Sequence, residues 1–362
     1  MAVPAFVKRV VKTCLRIGKD DKVVIFAWRH MLDLAEAFSM EYKRAGAHTL
    51  VEFSSDDMWY ESVTALPLDY LETPDPFDLA LAGVATAIIF ISGPENPEGQ
   101  SRVQAERWVA LSRSERPHYE RILERKVRMA KIMLGYVTPQ RAKTYGFNYQ
   151  EWKRSVVEST DVEYQEMQKL GRKLASIIEK SREVKITDPD ATDLSFSLDD
   201  RKAYVYDGVI DDEDIEMGAI FAELPGGTVA VALNEASANG VLTSNISFPS
   251  VGRVIERISL DFRNGKIESL AGGKNIEVAQ SQWEKATGDK DKIGSLALGL
   301  NPRAELGYID NSIVLGTASI GIGDNKELGG NNESNWNLSV TLAKPTVQLD
   351  GRTIIKQGKI MV

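Results

Sequence analysis

The sequence is poor in side chains that bind transition metals and in long apolar runs. Of its 362 residues only three are histidine (His30, His48 and His118), all in the first third, and only Cys14 is cysteine. A lone cysteine excludes an internal disulfide framework and a thiolate zinc site. No apolar run reaches the roughly 18 residues that span a bilayer, so no membrane helix is expected. The last third of the chain therefore lacks the imidazole and thiolate donors that a transition-metal site commonly uses.

Charge is abundant but unevenly distributed. The formal net charge of −8 disfavours general affinity for nucleic acid. Residues 101–143 are the exception, with eleven Lys and Arg against four Glu. Such a stretch is most often a solvated helix face or an intersubunit contact, and a phosphate-binding patch is the alternative. The first residues contain no apolar stretch followed by a small-residue cleavage site, so a cytoplasmic protein is predicted.

The first half of the chain alternates buried-strand and amphipathic patterns. Apolar runs at Val23–Ala27, Thr49–Phe53, Ala87–Ser92 and Ala130–Tyr136 are separated by segments of helical periodicity. This alternation predicts a parallel, Rossmann-like sheet with right-handed helical crossovers. The first strand runs into Trp28-Arg29-His30 without a glycine where a pyrophosphate would need close backbone approach. Dinucleotide binding is therefore not expected.

The segment Tyr149–Ser181 has an apolar stripe of helical period, which predicts one long helix that bridges two domains. After this segment the hydrophobic pattern changes from helical to β-type. Beyond it lie many short β-type runs. Asn264-Gly265 and Asp350-Gly351 predict two-residue hairpins between consecutive strands. We therefore predict an α/β domain over residues 1–183, ending in the bridging helix, and a β-rich α+β domain over residues 184–362.

A series of short motifs, rich in glycine, proline and small polar residues, runs from the end of the first domain almost to the end of the chain. They are Val137–Ala142 with Tyr149–Trp152, Thr187–Pro189 with Thr192–Phe196, Leu224–Gly227, Gly299–Pro302, Gly316-Thr317, Gly321–Asn325, Gly330–Ser334 and Lys344–Thr346. In this order they resemble the thermophilic aminopeptidase (aminopeptidase T/S) family, to which the iron-dependent 2,5-dihydroxypyridine dioxygenases are similar. The resemblance implies an α/β N-terminal domain, a metal-bearing β-rich C-terminal domain and a homodimer.

The same resemblance assigns the metal-ligand positions, and none of them holds a strong donor here. Thr228 and Ser295 stand where relatives carry carboxylates, and Ser319 stands where they carry a histidine. Asn337 and Ser339 replace the closing His-x-Asp. Hydroxyls and amides are neutral, weak ligands that cannot offset the dehydration of divalent cations. We therefore expect no metal and no other cofactor, and a former metal cleft that persists as a neutral ligand-binding pocket.

Other catalytic arrangements find little support in the sequence. No histidine in the second half could activate Ser295, Ser319 or Ser339 as a nucleophile. Asp324 and Glu333 are candidate acid and base residues, but turn capping in glycine-rich loops is the favoured interpretation of both. The family's catalytic tyrosine or its neighbourhood falls near Lys326.

Two hypotheses about function follow from the sequence. The favoured one is a homodimeric, aminopeptidase-like pseudoenzyme that binds a small polar ligand or a partner protein, or serves as a structural component. The alternative is an active aminopeptidase or dioxygenase-like metalloenzyme with unrecognised ligands. Whether the chain is an enzyme stays open, with a non-enzyme favoured.

Overall fold

The computed structural model of the protein describes residues 4–91, 93–250 and 253–362. In chain order its helices are α1 (Ala5–Arg9), α2 (Leu32–Arg44), α3 (Asp56–Ala65), α4 (Leu68–Glu72), α5 (Pro76–Val84), α6 (Ala105–Glu124), α7 (Pro139–Tyr145), α8 (Tyr149–Thr160), α9 (Tyr164–Ile178), α10 (Asp212–Met217) and α11 (Ile276–Lys285). Ser92, the last residue of one predicted strand, lies outside the described residues.

The strands lie mostly in the second half of the chain. They are β1 (Lys22–Trp28), β2 (His48–Ser54), β3 (Ala87–Ile91), β4 (Arg128–Ile132), β5 (Glu183–Asp188), β6 (Thr192–Ser197), β7 (Ala203–Tyr206), β8 (Phe221–Leu224), β9 (Thr228–Ala232), β10 (Asn239–Ser244), β11 (Phe248–Ser250), β12 (Arg253–Ile255), β13 (Ile258–Arg263), β14 (Lys266–Gly272), β15 (Ile293–Gly299), β16 (Ala318–Gly323), β17 (Asn337–Leu342), β18 (Thr346–Leu349), β19 (Arg352–Lys356) and β20 (Lys359–Ile360).

The first of two compact units contains a five-stranded parallel sheet in the order β2-β1-β3-β4-β8. Ile25, Ile88 and Ile89 in its central strands are completely buried. Burial on both faces is what continuous aliphatic runs predict, because helices cover both sides of a parallel sheet. The predicted Rossmann-like sheet is confirmed. Strand β8 was not predicted, because four residues are too few to carry a periodic signal.

The second unit is built on two antiparallel sheets. One has eight strands in the order β14-β13-β10-β6-β5-β18-β19-β20, and the other has five in the order β17-β16-β15-β9-β7. Both predicted hairpins are present, because Asn264-Gly265 and Asp350-Gly351 have positive φ at both central positions. This is the conformation of a type I′ turn, which Asn-Gly and Asp-Gly favour. The β-rich second half is therefore confirmed.

The predicted single helix over Tyr149–Ser181 is wrong. Helix α8 ends at Thr160 because Asp161 leaves the helical conformation (φ −97°, ψ 61°), and α9 starts at Tyr164. An ion pair of 2.8 Å from Arg9 to Asp161 and the buried side chain of Val162 stabilise the break. The apolar stripe of this segment fits two consecutive helices as well as one. Asp161 and Glu163 are compatible with either, so they did not indicate the break.

The two units are interleaved along the chain and differ from the predicted division at residues 183 and 184. The first unit's initial segment ends at Lys143, and Asn148–Asp161 and Gly208–Pro225 join it. Thr144–Phe147, Val162–Asp207 and Gly226–Val362 form the second unit. Gly208–Pro225 belongs to the first unit because its strand β8 pairs with β4 in the parallel sheet. In the described part of the chain no helix is long and apolar enough to cross a membrane.

Candidate functional site

The five-stranded antiparallel sheet of the second unit has two very different faces. One face carries large aliphatic side chains that are almost completely buried: Val229, Val231, Leu296, Leu298, Ile320, Leu338 and Val340. Helix α9 packs on this side, where a Cβ on Gly171 would come within 2.6 Å of Val205 Cγ1. We call this the aliphatic face. It supplies the apolar burial that fixes the register of the strands.

The opposite face, which we call the small-residue face, carries mainly alanine, glycine, serine and threonine. Residues directly opposite each other in an antiparallel pair project to the same side. Ala297 is in register with Ala230 and with Ser319, and Gly321 is in register with Ser295 and Ser339. By the same alternation Thr228, paired with Gly299, and Asn337, paired with Gly323, lie on this side. All five predicted cleft residues thus share one face.

These five residues do not meet at a single point. Ser295 and Ser339 flank Gly321, two strand spacings or about 10 Å apart. Thr228 is in register with Gly299, which is four residues along β15 from Ser295, a distance of about 13 Å. The sheet therefore groups Ser295 with Ser339 and leaves Thr228 at the other end.

Two of the five side chains are already hydrogen-bonded within the sheet. Ser319 Oγ lies 2.8 Å from Thr341 Oγ1, and both residues are buried. Asn337 Oδ1 accepts a hydrogen bond of 2.7 Å from the Asp324 N–H, which closes the β16–β17 connection. Ser295 is partly exposed and Ser339 is exposed. Of the five, Ser295 and Ser339 are therefore the two that reach the surface without a side-chain hydrogen bond in the described structure.

The donor set on this face does not fit a divalent metal ion. Thr228, Ser295, Ser319 and Ser339 offer neutral hydroxyls, and Asn337 offers an amide whose oxygen is engaged. Across residues 4–91, 93–250 and 253–362, no three His, Cys, Asp or Glu side chains are grouped so that they could hold a metal ion. Zinc sites use imidazole, thiolate or carboxylate donors, and the small-residue face supplies none at these positions.

Asp324 and Glu333 lie in the loop that joins β16 to β17. Asp324 Oδ1 accepts from the Lys326 N–H and its Oδ2 accepts from the Ser334 N–H, as a turn-capping carboxylate does. Glu333 is exposed, and its N–H donates to Asp289 Oδ2. Lys326, near the position of the family's tyrosine, is exposed at the start of a short 3-10 turn.

A buried polar network holds this loop in place. Glu235 forms an ion pair of 3.1 Å with Arg201, and its Oε1 accepts from the Asn331 N–H and from Asn325 Nδ2. Burial acts to raise the pKa of the Glu235 carboxyl, but it is opposed by the groups around it. These hydrogen bonds and the guanidinium outweigh burial and hold its pKa below the usual value.

Asparagines continue the network under the loop. Asn325 Nδ2 also donates to the Gly294 C=O, and Asn332 Nδ2 donates to the C=O groups of Ile293 and Gly323. Asn332 Oδ1 is buried without a hydrogen-bond partner in the described structure. Sequence analysis did not identify the structural roles of Glu235, Arg201, Asn325 and Asn332. The signal was the density of asparagine after Gly323.

Two tyrosines border the small-residue face at its other edge. Tyr204 and Tyr206 in β7 are in register with Ala230 and Thr228. Tyr206 is 41 % exposed. Partial burial, followed by the nearby Glu327 carboxylate, raises its pKa from 10.0 to about 12. The face is thus bounded by phenols on β7 and by amide and hydroxyl groups on β17. The alternating Tyr-x-Tyr pattern was the sequence signal for this border.

Two of the motifs, Leu224–Gly227 and Gly299–Pro302, hold the backbone. Asn301 is completely buried, and its Nδ2 donates 2.8 Å to the Gly226 C=O while its Oδ1 accepts from the Arg303 N–H. A Cβ on Gly227, where φ is +137°, would come within 2.9 Å of Asn301 Cβ. These contacts join the turn before β9 to the turn after β15. Keeping these motif residues therefore requires no metal.

The basic segment, residues 101–143, belongs largely to helix α6 and strand β4 of the first unit. Its cations bind groups within that unit. Arg107 donates to the C=O groups of Val63 and Leu66, Arg128 to Asp21 and the Leu15 C=O, and Arg141 to the Pro94 C=O. Arg113 pairs with Glu72 and Lys131 with Glu223. This use of the cations favours a structural role over a phosphate-binding patch.

A sequence model of the family described as thermophilic metalloprotease (M29) matches residues 3–308, most of the chain. The chain belongs to the thermophilic metalloprotease (M29) family. Ser319, Asn337 and Ser339 lie beyond the matched residues of the M29 model. No curated protein sequence matches the chain.

Two solved structures are similar to this M29 protein over nearly its whole length. Wild-type AmpT from Thermus thermophilus is 16% identical with a TM-score of 0.75, covering 99% of this chain and 99% of AmpT. The 2,5-dihydroxypyridine dioxygenase from Pseudomonas putida KT2440 is 15% identical with a TM-score of 0.65, covering 99% of this chain and 97% of the dioxygenase. At these identities the likeness establishes the fold: an α/β unit and a β-rich unit of the M29 type.

Proposed function

We propose that this M29 protein has lost the metal centre implied by its family and acts by binding rather than by metal-dependent peptide hydrolysis. The aminopeptidase relationship comes from the family, whereas the loss of activity is our proposal. It rests on one observation, the small-residue face. Every position matched to a metal ligand there carries a neutral side chain, while the aliphatic face of the same strands keeps its packing.

The neutral side chains of the small-residue face suit ligand binding rather than metal-dependent hydrolysis. Without a bound cation no water on this face has its pKa lowered toward neutrality, so the route to hydroxide attack is absent. Hydroxyl and amide groups instead donate and accept hydrogen bonds without the desolvation cost of a charge. Ser295 and Ser339 on either side of Gly321 suit a small polar ligand or a main-chain segment of a partner protein.

The test is metal content together with hydrolysis. The protein, purified without chelators, is analysed for zinc, cobalt, manganese and iron and then assayed on aminoacyl amides with each ion added. AmpT from Thermus thermophilus, prepared identically, is the positive control. We expect substoichiometric metal and no turnover above buffer. Stoichiometric metal, or turnover that depends on an added ion, would instead establish the alternative metalloenzyme.

We further propose the homodimer that the resemblance implies. Its support is the outermost strand of the parallel sheet, β2, where Leu50 and Phe53 are 47% and 49% exposed. Apolar side chains on an edge strand favour association. Sedimentation equilibrium tests this directly. A monomer at micromolar concentration would contradict it, and Leu50→Lys with Phe53→Lys should shift a dimer toward monomer.

A further inference from the structure

A cavity of about 340 Å³ lies in the second unit beside strand β17. Its wall contains Asn337 and Ser339 from the small-residue face and Leu338 and Val340 from the aliphatic face. Because residues of both faces line it, the cavity meets the strand at its edge rather than on either face. Strand β17 is the outermost strand of its sheet, so this edge has no neighbouring strand in that sheet.

Hydrogen bonds fix the direction of the main-chain groups of β17. The Gly323 N–H donates to the Lys292 C=O, on the β15 side of β16. N–H and C=O of one residue point to the same neighbour, and direction alternates along a strand. Ile322 and Ile320 therefore direct their groups to β17, where their register partners are Leu338 and Val340.

The remaining residues of β17 direct their main-chain groups away from the sheet and into the cavity. These are Asn337, Ser339 and Thr341. The Thr341 C=O accepts a hydrogen bond from Ser244 Oγ, which confirms the direction and closes one end of the cavity. In the described residues no hydrogen bond reaches the main chain of Asn337 or Ser339 from the cavity side. Both residues are exposed.

The lining defines the chemistry of a ligand. Among the described residues that line the cavity there is no Lys, Arg, His or Glu and only one carboxylate, that of Asp310. An anion would find no cation there, and a metal ion would find too few donors. Ile246, Phe248 and Trp336 supply apolar surface. A ligand that offers alternating N–H and C=O groups together with apolar side chains matches both the strand edge and these walls, and an extended peptide has this pattern.

We propose that the cavity binds an extended, uncharged or basic segment of a partner polypeptide, which adds to the sheet as a strand beside β17. This inference refines the binding role proposed above. Positions 337 to 341 span about 13 Å, which corresponds to about four peptide residues. Two copies of this chain do not pair edge to edge through β17, because Ile246, Phe248 and the other cavity walls stand beside that edge.

The probe is a capped pentapeptide, acetyl-Ser-Val-Thr-Val-Ser-amide, titrated into isotopically labelled full-length protein and followed by NMR. The cap removes the free N-terminus that an aminopeptidase substrate needs, so binding is separate from hydrolysis. We expect millimolar or tighter binding with shifts concentrated on β17 and residues 246–250. Absence of binding at millimolar peptide, or shifts confined elsewhere, overturns the proposal.

Two N-methylated forms of the peptide test the hydrogen bonds on the wild-type protein. One carries methyl groups on both valine nitrogens, and the other carries them on the serine and threonine nitrogens. Only alternate N–H groups of an added strand face its neighbour. One form should therefore lose roughly tenfold or more in affinity, the effect of a lost hydrogen bond, while the other binds as the parent does. Any other pattern contradicts strand addition.

A matched pair of protein variants tests the hydrogen bond that the Ser339 main chain would make to the peptide. Ser339→Pro removes an N–H that faces the cavity, and an edge strand tolerates proline at such a position. Ser339→Ala keeps this N–H and removes only the side chain. We expect S339P to bind roughly tenfold more weakly than S339A, because the two variants lack the same hydroxyl and differ in the N–H; thermal unfolding of both is checked. Equal binding by the two folded variants overturns the proposal, whereas the metal assay tests the proposed function independently.

Discussion

The two faces of the five-stranded antiparallel sheet share one backbone but follow different constraints. On the aliphatic face Val231, Leu296 and Ile320 are completely buried, so their size and shape decide whether the sheet forms. On the small-residue face the Ser295 side chain covers Gly321, and small polar groups take the place of large aliphatic ones. A fold can therefore be kept by one face while the chemistry of the other changes. Substitutions confined to one face test this separation.

The largest effect should come from returning donors to the small-residue face. Ser295→Glu, Asn337→His and Ser339→Asp place two carboxylates and an imidazole around Gly321, which has no side chain to block them. If the scaffold is intact, zinc binding should rise from none to a Kd of about 1 μM, equivalent to about 8 kcal/mol. Calorimetry with zinc and the visible spectrum with cobalt measure this gain.

The matched control keeps size and removes charge: Ser295→Gln, Asn337→Gln and Ser339→Asn in one protein. It should bind no zinc, because amides are weak ligands. If the donor-bearing variant folds and also binds none, the face has changed in shape as well as in side chains. In that case replacing the ligands was not the only step in the loss of the site.

Leu296 and Ser295 are neighbours on β15 that lie on opposite faces of the sheet, so substitutions at these two positions compare the faces directly. Leu296→Ala should cost about 3 to 5 kcal/mol of unfolding free energy, because a completely buried leucine leaves a cavity in a packed layer. Ser295→Ala should cost less than about 0.5 kcal/mol, as is usual away from the core. Urea unfolding of both variants measures the two free energies. Similar costs would mean that the small-residue face is packed as tightly as its opposite.

Much of the fold was predictable from local signals in the sequence. The parallel sheet and the β-rich half follow from hydrophobic period, and the hairpins follow from Asn264-Gly265 and Asp350-Gly351, all of which are local signals. The break between α8 and α9 was missed because Asp161 and Glu163 are compatible with a continuous helix. The return of β8 to the first sheet depends on long-range pairing with β4. No local pattern encodes that choice.

The candidate site was predictable in membership but not in geometry. Resemblance alone named Thr228, Ser295, Ser319, Asn337 and Ser339, and period-two alternation places all of them on one face. Register decides which of them meet, and register is set by bulges and pairings that cannot be read from one strand. The hydrogen bond between Ser319 and Thr341 therefore appears only in the three-dimensional structure.

The loop network should have the next largest effect after the aliphatic face. Glu235→Ala removes the partner of Arg201 and the acceptor for Asn331 and Asn325, and should cost about 2 to 3 kcal/mol. Since the pKa of Glu235 is held below its usual value, this stabilisation is present above the unfolded-state pKa and is lost as the pH falls through the folded-state pKa.

Hydrogen exchange of residues 324–334 across acidic pH measures this loss. Glu235→Gln keeps an acceptor without the charge and should lie between wild type and E235A at neutral pH. Its exchange rates should not accelerate with acid through that carboxyl. An unchanged loop in E235A would mean that the asparagine contacts hold it alone.

The smallest expected effect concerns Tyr206 at the border of the small-residue face. Its pKa is raised to about 12, so between pH 10 and 12 the folded protein keeps a proton that the unfolded chain releases. Stability should therefore fall as the pH rises through this range, and Tyr206→Phe should remove that part of the decline. The ultraviolet difference spectrum between wild type and Y206F isolates the titration of this phenol. A midpoint near the ordinary tyrosine value would mean that burial and the Glu327 carboxylate perturb the Tyr206 phenol less than the structure indicates.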